Sequence, residues 1–236
     1  FYGCYGEDAV MRLKKLFLLD MRFQAKYGFY FLYVVLTVIY IAALFALPEN
    51  WKEKAAAILI FSDPASMGLF FMGAIVLLEK SQHTTCALAV SPVHATEYVI
   101  AKVSSLSAIS LVVAAILALA ADADNLHIVL FGTFISSVIF TLFGIIVATK
   151  IASLNQFILW TVPIEAVCFV PAILHLFKIT PAWCGYYPVN VCMDMVSGHS
   201  SSAIGFLGVA ATIIILFVFS RLFVRQMWDS MGGVKL

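Results

Sequence analysis

Six stretches of this chain, each 19 to 24 residues long, consist almost wholly of apolar side chains. A helix needs about 20 such residues to cross a bilayer, because the hydrocarbon core is roughly 30 Å thick and the helix rises about 1.5 Å per residue. The stretches lack the alternation of barrel strands, and lipid cannot satisfy open backbone groups. The sequence therefore predicts an all-α, polytopic membrane protein with six transmembrane helices, at residues 29–47, 55–78, 99–121, 128–148, 157–177 and 203–224.

The composition excludes soluble classes of protein. Apolar residues make up 63% of the chain and charged residues 11%, whereas about a quarter of the residues are charged in soluble proteins. A net charge of +1 offers no basic surface for a polyanion, so we expect no nucleic-acid partner. Five cysteines without CxxC or Cys/His spacing indicate neither a metal site nor a disulfide scaffold.

Lys and Arg residues between the spans predict the orientation, because cytoplasmic loops retain them. If the chain starts in the cytoplasm, eleven basic residues fall inside, and only Lys52, Lys54 and Lys178 fall outside. Both termini are therefore expected to be cytoplasmic. The six spans form one transmembrane domain, residues 29–224, in the lipid bilayer of a plasma membrane, and residues 225–236 form a cytoplasmic tail.

Residues 1–28 precede the first span. The first ten are polar and aromatic and come before Met11, which is typical of a natural start, so we interpret them as an extension. In the segment that follows, helical spacing gathers four basic residues into one arc of about 80°: Arg12, Lys15, Arg22 and Lys26. The pattern predicts an amphipathic helix on the inner leaflet, and a basic flank that only fixes the topology is the alternative.

The connection after the second span, residues 79–98, exceeds the about two to eight residues usual between bundled helices. It has room for a short cytoplasmic helix that Pro92 should end. On such a helix, Leu88 and Val90 would be apolar anchors for a partner protein. The alternative is a plain connector.

The outer loop, residues 178–202, is apolar and aromatic but is broken by Pro181, Gly185 and Pro188, so it cannot be one straight span. The pattern favours a re-entrant or interfacial pair of short helices. Cys184 and Cys192 lie on the predicted outer side, where a disulfide persists. A bridge between them is one alternative, because spacing alone does not establish its geometry.

Three ionisable residues within or near the spans are candidates for a transport pathway: Asp63, Glu165 and His175. Asp63 and Pro64 divide the second apolar stretch; Asp63 either lines a broken helix or caps a shorter span that starts after Pro64. Glu165 lies eight residues inside its span, roughly 12 Å deep, so it should face protein or water. It serves either substrate or proton passage or a buried hydrogen bond between helices.

The order of these features, together with two motifs, resembles the ABC-2 type permease family of ATP-binding-cassette transporters. In residues 77–102 (LLEKSQHTTCALAVSPVHATEYVIAK), an acidic residue leads to a threonine, a leucine-rich turn, a Ser-Pro and a Lys that opens the third span. Residues 179–190 (ITPAWCGYYPVN) are similar to the Pro-aromatic-Asn outer segment of the family. Residues 16–30 resemble the small fluoroquinolone export permeases within it.

The resemblance implies an ABC-2 type permease fold, with this chain as one half of a two-fold dimer that a second copy or a related permease completes. Residues 79–92 would be the coupling helix that docks on a separate ATPase subunit. ATP and Mg would be held by that subunit, and no cofactor by this chain, which has no GxxxxGK[ST] phosphate loop. The implied ATPase contacts are Glu79, Lys80, His83, Thr84, Thr85, Leu88, Ser91 and Pro92.

The functional hypothesis is therefore the permease of a bacterial exporter that moves an amphipathic drug, peptide or lipid-like molecule with ATP hydrolysed by another subunit. The chain itself would not be an enzyme. One alternative is a membrane immunity or anchor protein that sequesters a peptide. The other is an intramembrane enzyme that uses Glu165, His175 or His199, although nothing in their spacing forces these residues together.

Overall fold

The computed structural model of the protein describes residues 2–62, 67–123 and 125–231. These residues form ten α-helices and one 3-10 turn, Ala182–Tyr186, and no strand, so the all-α prediction is confirmed for them. The helices are α1 (Tyr2–Lys26), α2 (Phe29–Ala46), α3 (Glu49–Ile60), α4 (Met67–Ser81), α5 (Thr84–Ala89), α6 (Ala95–Ala120), α7 (Leu126–Lys150), α8 (Leu154–Leu176), α9 (Pro188–Val196) and α10 (Ala203–Met231).

Five helices among these residues are long and apolar enough to cross a membrane: α2, α6, α7, α8 and α10. They match five of the six predicted spans. The second predicted span is divided into α3, with 12 residues, and α4, with 15, each too short to cross alone. The break expected at Asp63 and Pro64, where a proline lacks the N–H and disfavours a helical residue before it, stays a prediction. Both residues lie outside the described part of the chain.

Helix α7 lies at the centre of the bundle and packs against α4, α6, α9 and α10. Small residues on its faces allow this close approach. The hydroxyl of Ser137 lies 3.3 Å from that of Ser107 and 3.2 Å from that of Ser110, both on α6. On another face, Gly144 lies against the backbone of α4 with no room for a side chain.

Gly144→Ala is expected to destabilise the protein by about 1–3 kcal/mol through overpacking, although alanine is the better helix former. Its Cβ would lie 2.7 Å from the carbonyl oxygen of Leu69 and 2.8 Å from the Cβ of Met72, so α4 or α7 must shift. Gly208→Ala in α10 is the matched control, because its Cβ would meet nothing closer than 3.7 Å. Thermal unfolding in detergent measures both, and equal midpoints would contradict the close contact of α4 with α7.

The bundle has two opposite ends, and we name each after its short helix. At the α5 face lie α5, the end of α4, the start of α6 and the last turns of α10, where the rings of Tyr98 and Trp228 pack 5.6 Å apart. At the α9 face lie α9, the 3-10 turn and the starts of α7 and α10. There the side-chain amide of Asn125 donates to the carbonyl oxygen of Gly198 at 3.1 Å. The long helices α6, α7 and α10 connect the two faces.

Helix α1 packs along α6 and α2 at the α5 face instead of standing apart from the bundle. Arg12 forms a salt bridge with Glu97 of α6 at 2.9 Å, and Asp20 is buried. The predicted basic arc is therefore divided: Arg12 faces α6, while Lys15, Arg22 and Lys26 are exposed. Glu97 also accepts a hydrogen bond from the backbone N–H of His94, which closes a capping box and fixes the start of α6.

Candidate functional site

The short helix α5 forms the turn between α4 and α6, where the sequence predicted a short helix that Pro92 ends. It begins after His83, whose φ of +58° lies in the left-handed region and turns the chain out of α4. Thr85 is fully buried and Leu88 packs on the core, so one side of α5 is fixed against its neighbours. Val90, in contrast, is 82% exposed, the most of any large apolar side chain in the described residues.

The eight residues that the resemblance implied as ATPase contacts form two groups in the structure. The first group lies on the open surface of the segment, exposed or half-buried: His83, Thr84, Leu88, Ser91 and Pro92. For these, contact with an ATPase stays a prediction. The second group is held inside the chain by other helices: Glu79, Lys80 and Thr85.

Lys80 connects the end of α4 to the end of α7 through hydrogen bonds. Its Nζ donates to the carbonyl oxygens of Ala148, Thr149 and Ile151 at 2.7, 3.1 and 2.8 Å. The last carbonyl groups of a helix have no partner within it, and the helix dipole favours a cation there. Burial lowers the pKa of Lys80, which lies beyond the apolar stretch of α4. The base of α5 is thereby linked to the central helix.

A buried ion cluster lies beside this link. Lys102 of α6 forms salt bridges with Asp20 of α1 and Glu79 of α4, and each of the three side chains is at most 7% exposed. Withdrawing ions from water costs several kcal/mol each, and their attraction repays this only if further hydrogen bonds complete the geometry. One cation thus joins carboxylates from two other helices.

Neutral side chains supply those further hydrogen bonds. The hydroxyl of Tyr98 donates to Glu79 at 2.7 Å. The side-chain amide of Gln24 donates to Asp20 at 2.9 Å and to the hydroxyl of Ser105 at 3.0 Å, and Ser105 in turn donates to Asp20. The ion cluster therefore fixes α1, α4 and α6 to one another at the α5 face.

Sequence reasoning missed this cluster. It treated Lys102 as a topological marker and a family feature, Glu79 as a surface contact, and Asp20 as a residue of an interfacial helix. The available signal was three charges at the edges of apolar stretches, at residues 20, 79 and 102. An unpaired charge in such a position costs free energy, so the three side chains could have been expected to pair with one another.

Of the three pathway candidates, Glu165 and His175 lie in the described residues, and the structure does not bring these two together. Asp63 lies outside the described residues. Glu165 is half-buried in α8, with no hydrogen-bond partner among the described residues. His175 lies ten residues further along α8, at the α9 face, where its ring nitrogens contact the hydroxyl of Thr180 at 3.0 Å and Asp194 of α9 at 3.1 Å. His175 therefore joins α8 to the outer loop.

The outer loop contains two short helical elements, the 3-10 turn and α9, as the sequence pattern indicated. Most of α9 is buried against α7, α8 and α10. The predicted alternative of a bridge between Cys184 and Cys192 is not formed in the structure, where both carry free thiols. Cys192 is buried in α9, whereas Cys184 is half-buried in the 3-10 turn.

A helical bundle with α7 at its centre and with five helices, α7 among them, long and apolar enough to cross a membrane is the architecture of a multi-pass membrane protein. The sequence matches the fluoroquinolones export permease protein family over residues 11–222, and the chain belongs to this family of ABC-2 type permeases. Two relatives are fluoroquinolones export permease proteins of Mycobacterium tuberculosis, from strains CDC 1551/Oshkosh and ATCC 25618/H37Rv. Each is 27% identical over 165 residues, which cover 69% of this chain and 70% of the relative.

The family membership confirms the resemblance found in the sequence. The protein is accordingly a multi-pass protein of the plasma membrane and a permease of the export type.

Proposed function

We propose that this chain is the membrane-spanning half of an ATP-binding-cassette exporter, driven by a separate ATPase subunit that docks on α5. The observation that supports this most strongly is the position of α5. Its inner side is fixed to the bundle next to the ion cluster and Lys80, while the residues directly before and after it, His83 and Val90, are exposed. A segment of this kind is suited to transmit a partner's movement into several helices.

Six crossings follow if α3 and α4 together form the second one. The basic residues then divide by face: Lys80, Lys102, Lys150, Arg221 and Arg225, with those of α1, lie towards the α5 face, and Lys52, Lys54 and Lys178 towards the other. Because cytoplasmic segments retain Lys and Arg, we place the α5 face and both termini in the cytoplasm. The α9 face, with the buried helix α9 and the 3-10 turn before it, would close the bundle on the outside.

The ATPase subunit would bind ATP and Mg and change its shape when it does so. A ligand shifts a conformational equilibrium only through its different affinity for the two states. ATP binding must therefore favour one arrangement of the permease through the contact at α5. Lys80 and the ion cluster would carry the displacement from α5 to α7, α1 and α6.

A second permease, either another copy or a related chain, would complete the transporter. Helix α8 exposes a broad apolar face that includes Leu159, Trp160 and Val167, and it holds the half-buried Glu165. A charged carboxylate facing lipid would cost about 2.5–3.5 kcal/mol on insertion scales. A second half beside α8 would shield Glu165 and make it part of a cleft between the two permeases.

The cargo would be an amphipathic molecule. The relatives in Mycobacterium tuberculosis are named for fluoroquinolones, so these compounds are the first substrates to test. Glu165 is the residue of the cleft that we expect to meet a polar or cationic group of the cargo.

The experiment uses inside-out membrane vesicles that contain the permease and the ATPase subunit with which it purifies. We expect ATP-dependent accumulation of a fluoroquinolone in the vesicles, and none when the ATPase subunit is omitted. If the permease retains the compound equally with and without ATP, the protein sequesters its ligand and the exporter proposal is wrong.

A further inference from the structure

A cavity lies at the α5 face, beside the first turn of α6. It has a volume of about 680 Å³ and lies between the start of α6 and the last turns of α10. His94 and Thr96 line it from one side, and Arg221, Arg225, Trp228 and Asp229 from the other. The mechanism proposed above gives no role to this cavity.

The charges around the cavity favour an anion. Arg221 and Arg225 are exposed and lie one turn apart on α10, and neither forms a salt bridge with any of the residues that the structure describes. Asp229 also lines the cavity, but it is not within salt-bridge distance of either arginine. Two guanidinium groups against one carboxylate leave a net positive charge, and a pair of arginines suits the oxygens of a phosphate.

Two further sets of donors surround the same space. The first turn of α6 presents the backbone N–H groups of Ala95 and Thr96, which have no partner within the helix and carry the positive end of its dipole. Trp228 is 8% exposed, and its buried indole N–H has no hydrogen-bond partner among residues 2–62, 67–123 and 125–231. A buried donor without an acceptor is uncommon in proteins and calls for an explanation, such as a bound ligand.

The position of the arginines along α10 indicates which class of phosphate-containing ligand they would bind. In the two turns before Arg221, the side chains of Ile214, Ile215, Val218 and Phe219 are exposed, as is Leu222 directly after it. Such a surface faces acyl chains in a spanning helix. The two guanidinium groups therefore lie at the depth where acyl chains give way to headgroups.

We propose that this cavity binds the phosphate of an anionic phospholipid, with its acyl chains along α10 and its headgroup held by Arg221, Arg225 and the first turn of α6. The inference rests on the orientation in the proposed function, since anionic lipids are enriched in the cytoplasmic leaflet. The bound lipid would join α10 to the segment that follows α5. Binding of lipid is measured without ATP or cargo, so its failure is distinct from a failure of the exporter proposal.

The test titrates the purified full-length chain in neutral detergent with short-chain phosphatidylglycerol and, in parallel, with phosphatidylcholine, and it follows binding by native mass spectrometry. We expect saturable binding of phosphatidylglycerol in preference to phosphatidylcholine. The double variant Arg221→Gln/Arg225→Gln should weaken that binding by roughly tenfold or more, because it removes two charged hydrogen-bond donors. Arg22→Gln in α1, an exposed arginine at the same face that does not line the cavity, is the matched control and should bind as the unchanged chain does.

Further measurements distinguish the proposed lipid from other ligands of the cavity. Trp228→Phe keeps the ring against Tyr98 but removes the N–H, and we expect it to weaken phosphatidylglycerol binding by about two- to tenfold. Glycerol phosphate should compete poorly with phosphatidylglycerol for the cavity. If it competes as well as the lipid does, the cavity binds a free phosphate and the proposal of a lipid site is wrong. If the double variant binds phosphatidylglycerol normally but loses the ATPase subunit, the arginines are a protein contact and the proposal is wrong.

Discussion

Lys102→Met is expected to destabilise the protein by about 3–5 kcal/mol, because it leaves the carboxylates of Asp20 and Glu79 buried without a cation. For a chain of this size, each kcal/mol corresponds to roughly 2–4 °C in the unfolding midpoint. Thermal unfolding of the purified chain in detergent should therefore show a fall of roughly 10 °C. The side chain of methionine fills most of the volume of lysine, so the effect isolates the lost charge.

Two comparisons show whether the charge is responsible. Lys14→Met removes an exposed lysine from α1 and should leave the midpoint unchanged. The triple variant Asp20→Asn/Glu79→Gln/Lys102→Met removes all three charges and should recover most of the loss, because a buried ionic group replaced as a whole is often near neutral. A triple variant as unstable as Lys102→Met would show that the helices are not held through these charges.

Val90→Glu is expected to weaken binding of the ATPase subunit by more than roughly tenfold and to abolish ATP-dependent transport. The valine is 82% exposed and would be covered in the complex, where a carboxylate without a partner is costly. Insertion and folding should not change, because Val90 lies outside the core. Co-purification of the two subunits and transport in inside-out vesicles measure the two effects.

Ile179→Glu supplies the matched control for Val90→Glu. Ile179 is 69% exposed and follows α8 at the opposite end of the bundle. Its replacement should leave the complex intact. If both variants lose the ATPase subunit equally, the added carboxylate disturbs the protein generally. If Val90→Glu binds the ATPase subunit normally, α5 is not part of the docking surface.

Much of the fold follows from the sequence because its cause is local. An apolar stretch of about 20 residues must be helical in lipid, and five such helices are present. The end of α5 agrees with Pro92, and Pro64 predicts a break between α3 and α4. Small residues in α7 are typical of close helix packing, and Gly144 shows that contact.

The site was harder to predict because its parts are distant in the chain. Asp20, Glu79 and Lys102 come from three helices, and no spacing rule places them together. The same holds for Arg12 and Glu97, since the helical periodicity of α1 shows a basic arc without showing which residue faces α6. Likewise, the sequence put Cys184 and Cys192 on one side of the membrane, but it did not show that Cys192 is buried in the bundle.

The central claim is that an ATPase subunit contacts α5 from the cytoplasm, and cross-linking from position 90 tests it most directly. The photoreactive residue p-benzoylphenylalanine replaces Val90 in one chain and Ile179 in another, and each is illuminated in native membranes. We predict an adduct with the ATPase subunit from position 90 and none from position 179. An intact complex that gives no adduct from position 90, or gives one from position 179, would contradict the account.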